Sequence, residues 1–263
     1  MCIILLAYKA HPVYELVLAA NRDEFYERPT SRAGFWEDAP VLLGGRDLER
    51  GGTWLGATTS GRIAAITNFR EPPVKIADAP SRGLLVSDFL RSHERPRPFL
   101  ERLAASAKPY HGFNLIVGDA RDLYYYSNRG DAPRALAPGV YGVSNHLLDT
   151  PWPKVARGKQ ALAEALARVD ANLTDDLFRL LADRSPADDA CLPDTGVGLE
   201  IERALSPLFI TSPVYGTRSS TLVVVNRDDE TTFIERTFKG GAEDWDEARY
   251  VFKIRRDYES DSR

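Results

Sequence analysis

Four times along this chain, two strand-like runs lie either side of a short turn, and that repetition constrains the fold more than any other feature. Residues 3–8 and 14–20 flank a turn containing Pro12, which has no N–H to give a ladder. Residues 53–58 and 62–68 flank Thr59, Ser60 and Gly61; residues 113–118 and 123–127 form a third pair, and residues 220–225 and 231–237 a fourth. Such pairs read as β-hairpins. Strand followed by nearby strand favours antiparallel sheets over βαβ crossovers. Helical periods fall between the hairpins, over 81–92, 97–106, 152–168 and 174–183. In the third block Val155, Leu162, Ala163 and Leu166 recur at helical spacing, with Asp149 or Thr150 as the expected cap and Pro151 in the first turn. Residues 222–225 are continuously apolar, so their strand is expected to be buried on both faces. The class this implies is α+β, layered as helix, sheet, sheet, helix.

A chain of 263 residues, 43% of them hydrophobic, can bury a sizeable core. No linker, charge block or repeat divides it, so a single domain over residues 1–263 is expected. The 34 basic and 38 acidic side chains are scattered, without a basic stripe to neutralise successive phosphates, which excludes nucleic acid as a partner. Cys2 and Cys191 are too few for a disulfide framework or a thiolate metal site, and fit a reducing cytoplasm. Lys9, His11, Pro12 and Glu15 interrupt the apolar start, against a signal peptide, and no run approaches the ~20 apolar residues of a spanning helix. The expectation is a cytoplasmic protein without a transmembrane segment. No metal or cofactor is expected: His11, His93, His111 and His146 are scattered, and no Cys-x-x-Cys-His segment occurs. Gly44-Gly45 and Gly51-Gly52 begin no nucleotide fingerprint and read as turns. Trp54 is one of four tryptophans that either pack the core or wall a site.

The chemistry concentrates at the start. If Met1 is removed, Cys2 carries an α-amine of pKa about 7.7 to 8.0 and a thiol of about 8.5, so the amine can take the thiol proton near neutral pH. Amino-terminal nucleophiles work in this way; the competing reading is a Cys packed at the head of an apolar strand. Asn21, Arg22, Asp23 and Glu24 follow the strand ending at Ala20, and antiparallel pairing returns that end to Cys2. There Asp23 can orient the thiol or bind the ammonium, and Arg22 can lower the thiol pKa or hold an anionic group of the substrate; the alternative is a solvated turn with surface ion pairs. Asn68 and Asn145 end apolar strands, where a side-chain amide either donates to an oxyanion or serves a turn. Arg218 stands where a strand begins, as a carboxylate anchor, a support for the nucleophile or a surface arginine.

Met1-Cys2, Asn21-Arg22-Asp23-Glu24, Gly44-Gly45-Arg46-Asp47, the segment from Gly51 to Gly56, the segment from Asn145 to Lys154, and Tyr215-Gly216-Thr217-Arg218 occur in one order over nearly the whole chain. Together they resemble the NRDE family, that of the transport and Golgi organisation proteins. NRDE proteins in turn resemble the amino-terminal nucleophile (Ntn) hydrolases, above all the cysteine branch of penicillin V acylase and bile salt hydrolase. The resemblance implies a four-layer αββα sandwich of two antiparallel sheets. It implies Cys2 as nucleophile, Asp23 as its orienting acid, Asn145 as oxyanion donor, Asn68 as a second oxyanion contact and Arg218 as the arginine near the nucleophile; Arg22 and Trp54, read from the residues themselves, are the candidates for substrate binding. One departure stands out: the branch carries arginine three residues before the aspartate, where this chain has Ala20. The implied activity is hydrolysis of a non-peptide acyl-amide through a Cys2 thioester, on a small molecule bearing an acyl group. The alternative is a non-catalytic carrier of acyl-CoA, lipid or haem using the same pocket, in line with eukaryotic relatives implicated in haem and lipid handling.

Overall fold

β1 (Cys2–Tyr8) and β2 (Tyr14–Phe25) form the first expected hairpin, in register from Cys2 opposite Arg22 to Tyr8 opposite Leu16. The computed structural model describes residues 2–72, 76, 78–168, 172–239 and 243–255; Met1, whose removal the sequence raises, lies outside the described residues. The second strand does not end at Ala20. It continues through the polar quartet to Phe25, because β11 (Tyr215–Asn226) pairs along its other side and sets Thr217 opposite Asp23 and Ser220 opposite Asn21. The quartet is thus inside a central strand, not a solvated turn: Asn21, Arg22 and Asp23 are buried. β10 (Gly139–Val143), β12 (Glu230–Phe238) and β13 (Trp245–Lys253) complete an antiparallel sheet, ordered β10-β1-β2-β11-β12-β13 among the described residues.

The second sheet is a meander in chain order: β3 (Thr30–Trp36), β4 (Ala39–Asp47), β5 (Leu55–Thr58), β6 (Arg62–Asn68), β7 (Phe113–Asp119), β8 (Leu123–Ser127) and β9 (Arg134–Ala135). Gly44 and Gly45 are not a turn; they lie inside β4. A Cβ on Gly45 would stand 2.2 Å from the Trp54 ring, so this strand needs glycine to seat an indole. Gly51 and Gly52 do occupy a turn, with Gly51 at φ +77°.

Three cores fix the layering. Between the sheets, Ile4, Leu6, Leu16 and Leu18 meet Leu43, Leu55, Ile63 and Ile116. On the outer face of the second sheet, Ile66, Leu115 and Val117 pack on α1 (Arg82–Arg91) and α2 (Pro96–Ser106) through Phe89 and Phe99. On the outer face of the first, Ile3, Leu5, Val17, Ala19 and Leu222 pack on α3 (Pro153–Leu166) and α4 (Leu173–Leu181) through Val155, Leu162, Leu177 and Leu181. A short α5 (Leu199–Ala204) follows. The fold is therefore an αββα sandwich. Residues 222, 223 and 225 divide between two cores, as a strand buried on both faces must. The third helix begins later than its sequence suggests: Trp152 is the N-cap residue and Pro153, not Pro151, opens the first turn. Asp149 is withdrawn from capping by a left-handed φ of 62° and by accepting from the Gly142 N–H and Lys159 Nζ.

Candidate active site

Strand alternation decides what meets at the end of the hairpin. Even positions of β1 and β2 face the other sheet and odd positions face the helices. Cys2 and Arg22 therefore share the inter-sheet face, while Asn21 and Asp23 share the face turned to α3 and α4. Asn21 Nδ2 donates to the carbonyls of Leu181 and Leu208, at 2.8 and 2.9 Å, and tethers that side. Burying such residues is unfavourable unless partners satisfy them, so their placement needs a local reason.

Cys2 is half-buried and opens on a cavity of about 580 Å³. Volumes of about 300 to 1,000 Å³ are those of small-molecule sites. The wall is built from the end of β2, the turn leading to Trp54, the end of β6 and the first turn of α1. Of the seven residues the sequence singles out, Cys2, Arg22, Asp23, Trp54 and Asn68 line it; Asn145 and Arg218 do not.

Arg22 donates to Thr30 Oγ1 at 3.2 Å and stacks on Trp54 with its guanidinium carbon 4.3 Å from the ring centroid. The pair forms one flat wall beside the sulfur. Asp23 accepts at Oδ1 from the Thr217 hydroxyl at 2.7 Å, and its backbone carbonyl accepts from Tyr215 Oη at 3.1 Å. Asn68 gives its backbone carbonyl to Asn145 Nδ2 at 3.0 Å, while its own side-chain amide faces the cavity without a hydrogen-bond partner among the described residues. Asn145 is fully buried, and its Oδ1 accepts from Ser144 Oγ at 3.0 Å and from Arg70 at 3.5 Å. Ser144 Oγ in turn sits 2.9 Å from the Cys2 carbonyl oxygen. Asn145 is thus a brace behind the site, with Asn68 the amide in front. Arg218 donates to the carbonyls of Phe25 and Arg28, at 2.8 and 3.1 Å, and so ties down the turn after β2 away from the cavity wall.

Burial pushes the Cys2 thiol pKa up and the Asp23 carboxylate adds to the rise, while Arg22 opposes it. The resting sulfur is therefore a thiol that needs a base. Burial also raises the Asp23 pKa, against Lys154, the Thr217 hydroxyl and Arg22. The cavity mixes Arg22, Arg28 and Arg82 with Glu24, Asp47 and Glu49. Arg28 is paired to Asp47 at 2.7 Å and Glu49 at 3.2 Å, whereas Arg82 donates to the Gly112 carbonyl at 2.9 Å. Such walls favour a ligand with a charged or strongly polar portion over a bare alkyl chain.

Thr217, Tyr215, Ser144, Arg82 and Lys154 were not assigned roles from sequence. Thr217 had a signal: it alternates with Tyr215 along a strand, inside a segment already singled out. Lys154 also lies in a singled-out segment, the one from Asn145, but its burial arises only when α3 is laid on the sheet. Among the described residues, no helix is long and apolar enough to cross a membrane, and no group of three or more His, Cys, Asp or Glu side chains could hold a metal ion.

The profile of the family described as Transport and Golgi organisation 2 matches residues 1–240. The chain is 39% identical over 275 residues to the Transport and Golgi organization protein 2 homolog of Bos taurus, covering 97% of this chain and 99% of that one. It is 38% identical over the same length to the Homo sapiens homolog, with the same coverage, and 31% identical over 269 residues to the Drosophila melanogaster protein, covering 91% and 93%. Among solved structures it is similar to a Caenorhabditis elegans N-acylethanolamine-hydrolyzing acid amidase ortholog, with TM-score 0.48, 11% identity and coverage of 85% of this chain and 92% of the other. It is also similar to the C2A mutant of conjugated bile acid hydrolase from Clostridium perfringens, with TM-score 0.47, 8% identity and coverage of 97% and 98%.

Proposed function

The chain belongs to the Transport and Golgi organisation 2 family, and from that footing we propose that it hydrolyses a non-peptide amide of a polar small molecule through a thioester on Cys2. The observation that carries this reading is the opening of Cys2, the first residue of β1, onto a walled cavity beside Arg22, Asp23 and Asn68. After removal of Met1, the Cys2 amine takes the thiol proton and the thiolate attacks the amide carbonyl. The Asn68 side-chain amide donates to the developing oxyanion, and Asp23 holds the amine in place. Collapse of the tetrahedral intermediate breaks the C–N bond, and the ammonium returns its proton to the leaving amine. Water, deprotonated by the same amine, then attacks the thioester and releases the acid and the free thiol.

Purified wild type, Cys2→Ser and Cys2→Ala forms, assayed against a panel of acyl-amides, test the proposal, with intact mass reporting whether Met1 is removed. Turnover confined to the wild type and lost in the alanine form is expected; turnover surviving in Cys2→Ala removes the sulfur from the chemistry. A second reading, carriage of an acyl ligand such as acyl-CoA without turnover, is favoured by one observation, the arginines in the wall. Calorimetric titration that finds tight, saturable binding with no product supports the carrier instead.

A further inference from the structure

Arg82, the first residue of α1, stands in the cavity wall, yet the proposed mechanism gives it nothing to do. The other arginines of that wall are already engaged. Arg28 holds Glu24 at 3.9 Å, Asp47 at 2.7 Å and Glu49 at 3.2 Å; Arg50 holds Glu49 at 3.9 Å, and Arg22 lies 4.0 Å from Glu24 besides its stack on Trp54. Of the two remaining carboxylates in the wall, Asp23 accepts from Thr217 on the face of β2 turned to the helices, and Asp78 is exposed. Among the described residues no carboxylate lies within 4 Å of the Arg82 guanidinium, whose hydrogen bond runs from Nη1 to the Gly112 carbonyl. Glu71, which accepts from the Gly112 N–H at 3.2 Å, is bound through both oxygens by Arg129, at 2.8 Å each. The carboxylates thus gather around Arg28, and Arg82 is the cation they leave over. A guanidinium carries five N–H donors, so most of this fork is without a protein acceptor among the described residues.

The Gly112 carbonyl that accepts from Arg82 also accepts from the Phe69 N–H, each at 2.9 Å, so the guanidinium is fastened to the backbone one residue past Asn68. Two donors without protein acceptors, the Asn68 amide and the Arg82 fork, therefore share this part of the wall. We propose that Arg82 is the specificity-determining residue of the cavity, taking an anionic oxygen group of the ligand, a carboxylate or a phosphate, while the Asn68 amide takes the neighbouring acyl carbonyl. The proposal rests on the reading of this cavity as the substrate site, and it narrows the substrates to acyl-amides that carry such a group. Paired N–H···O bonds from one planar fork suit both oxyanions. A neutral analogue would desolvate the guanidinium and offer it no charge in return, so the site selects by rejection as well as by attraction.

The test compares two alkylating probes of nearly equal size on Cys2 in the full chain: iodoacetate, which carries a carboxylate, and iodoacetamide, which does not. In each case the thiolate displaces iodide, forming a C–S bond as the C–I bond breaks, and mass spectrometry of the amino-terminal peptide separates Cys2 from exposed Cys191. Arg82→Gln, which keeps a donor for the Gly112 carbonyl and loses the charge, should lower the ratio of the iodoacetate rate to the iodoacetamide rate about fivefold. Arg82→Lys, which keeps the charge, should return most of that ratio. A ratio that Arg82→Gln does not move, or that Arg82→Lys lowers as far, overturns the proposal, while continued labelling by iodoacetamide leaves the Cys2 chemistry intact; a folded wild type whose Cys2 resists both reagents ends both readings. Should the variants fail to fold, protection of wild-type Cys2 from iodoacetamide decides, with N-octanoylglycine, N-octanoyl-O-phosphoethanolamine and neutral N-octanoylethanolamine as ligands. Protection about tenfold tighter by either acid upholds the proposal and tells carboxylate from phosphate; equal protection by all three, or protection by none, ends it.

Discussion

Two cavities of nearly equal size lie at the two ends of the β1–β2 hairpin, and their chemistry could hardly differ more. At the Cys2 end a space of about 580 Å³ is walled by Arg22, Asp23, Glu24, Arg82 and Trp54. At the turn end a space of about 530 Å³ is walled largely by Pro12, Val13, Val140, Ala163, Leu166 and Leu173. The second lies between the hairpin turn and the end of α3, and apolar side chains make up most of its wall. The first requires a carboxylate and an arginine within a central strand, with partners supplied by β11, β3 and Trp54. Volume alone does not separate the two, whereas polar groups held against the cost of burial do.

The sharpest test of that distinction is Cys2→Ala, for which a loss of at least about four orders of magnitude in turnover is expected, measured with substrate identified from the acyl-amide panel. Asn68→Ala should lower kcat by about two to three orders of magnitude with little change in thermal stability, since its amide has no hydrogen-bond partner among the described residues. Asn145→Ala should do the reverse: with its amide bonded to Asn68, Ser144 and Arg70, its loss should destabilise the fold by roughly 2 kcal/mol in urea unfolding. If Asn145 proves the stronger kinetic variant, the oxyanion donor lies behind the wall and the picture of the cavity must change.

The buried ammonium of Lys154 gives a stability signature. Its folded pKa, about 8 against 10.5 for an ordinary lysine, means that the unfolded chain binds the extra proton between these values. Wild-type stability should therefore gain on the order of 3 kcal/mol from this group as pH climbs from about 8 to 10.5, a gain that Lys154→Met lacks when the two are unfolded in urea side by side. Arg22→Ala, which removes the stack on Trp54, should weaken substrate binding by about 1 kcal/mol, seen as a KM roughly fivefold higher. The smallest effect should come from Ala163→Leu, which fills the apolar cavity and should leave turnover within about twofold; a larger change would mean that the wrong end of the hairpin has been assigned the chemistry.

Much of this was legible in the sequence because it depends on local pattern. Apolar runs on either side of Pro12 and Gly61 mark hairpins, and the antiparallel return of β2 sets Arg22 and Asp23 beside Cys2. What escaped depends on pairing partners distant in sequence. β2 reads as ending at Ala20 until β11 is laid beside it, and β4 reads as a turn until Trp54 is seen to occupy the space over Gly45. β13 carries Asp246, Glu247, Arg249 and Lys253, and as an exposed edge strand it lacks the apolar run that would betray a buried one. Asn68 and Asn145 look alike as strand-end amides; only the network through Ser144 and Arg70 distinguishes the buried brace from the amide that lines the cavity.

The pairing of Cys2 with Arg22 at the very first rung of the ladder has a practical corollary for anyone making this protein. Under the proposed chemistry, a purification tag fused upstream, or even one amino acid left behind after a protease has trimmed it, would turn the working nitrogen into a peptide bond. Such a preparation would melt normally and crystallise normally and yet be inert, so affinity handles belong at the carboxyl end.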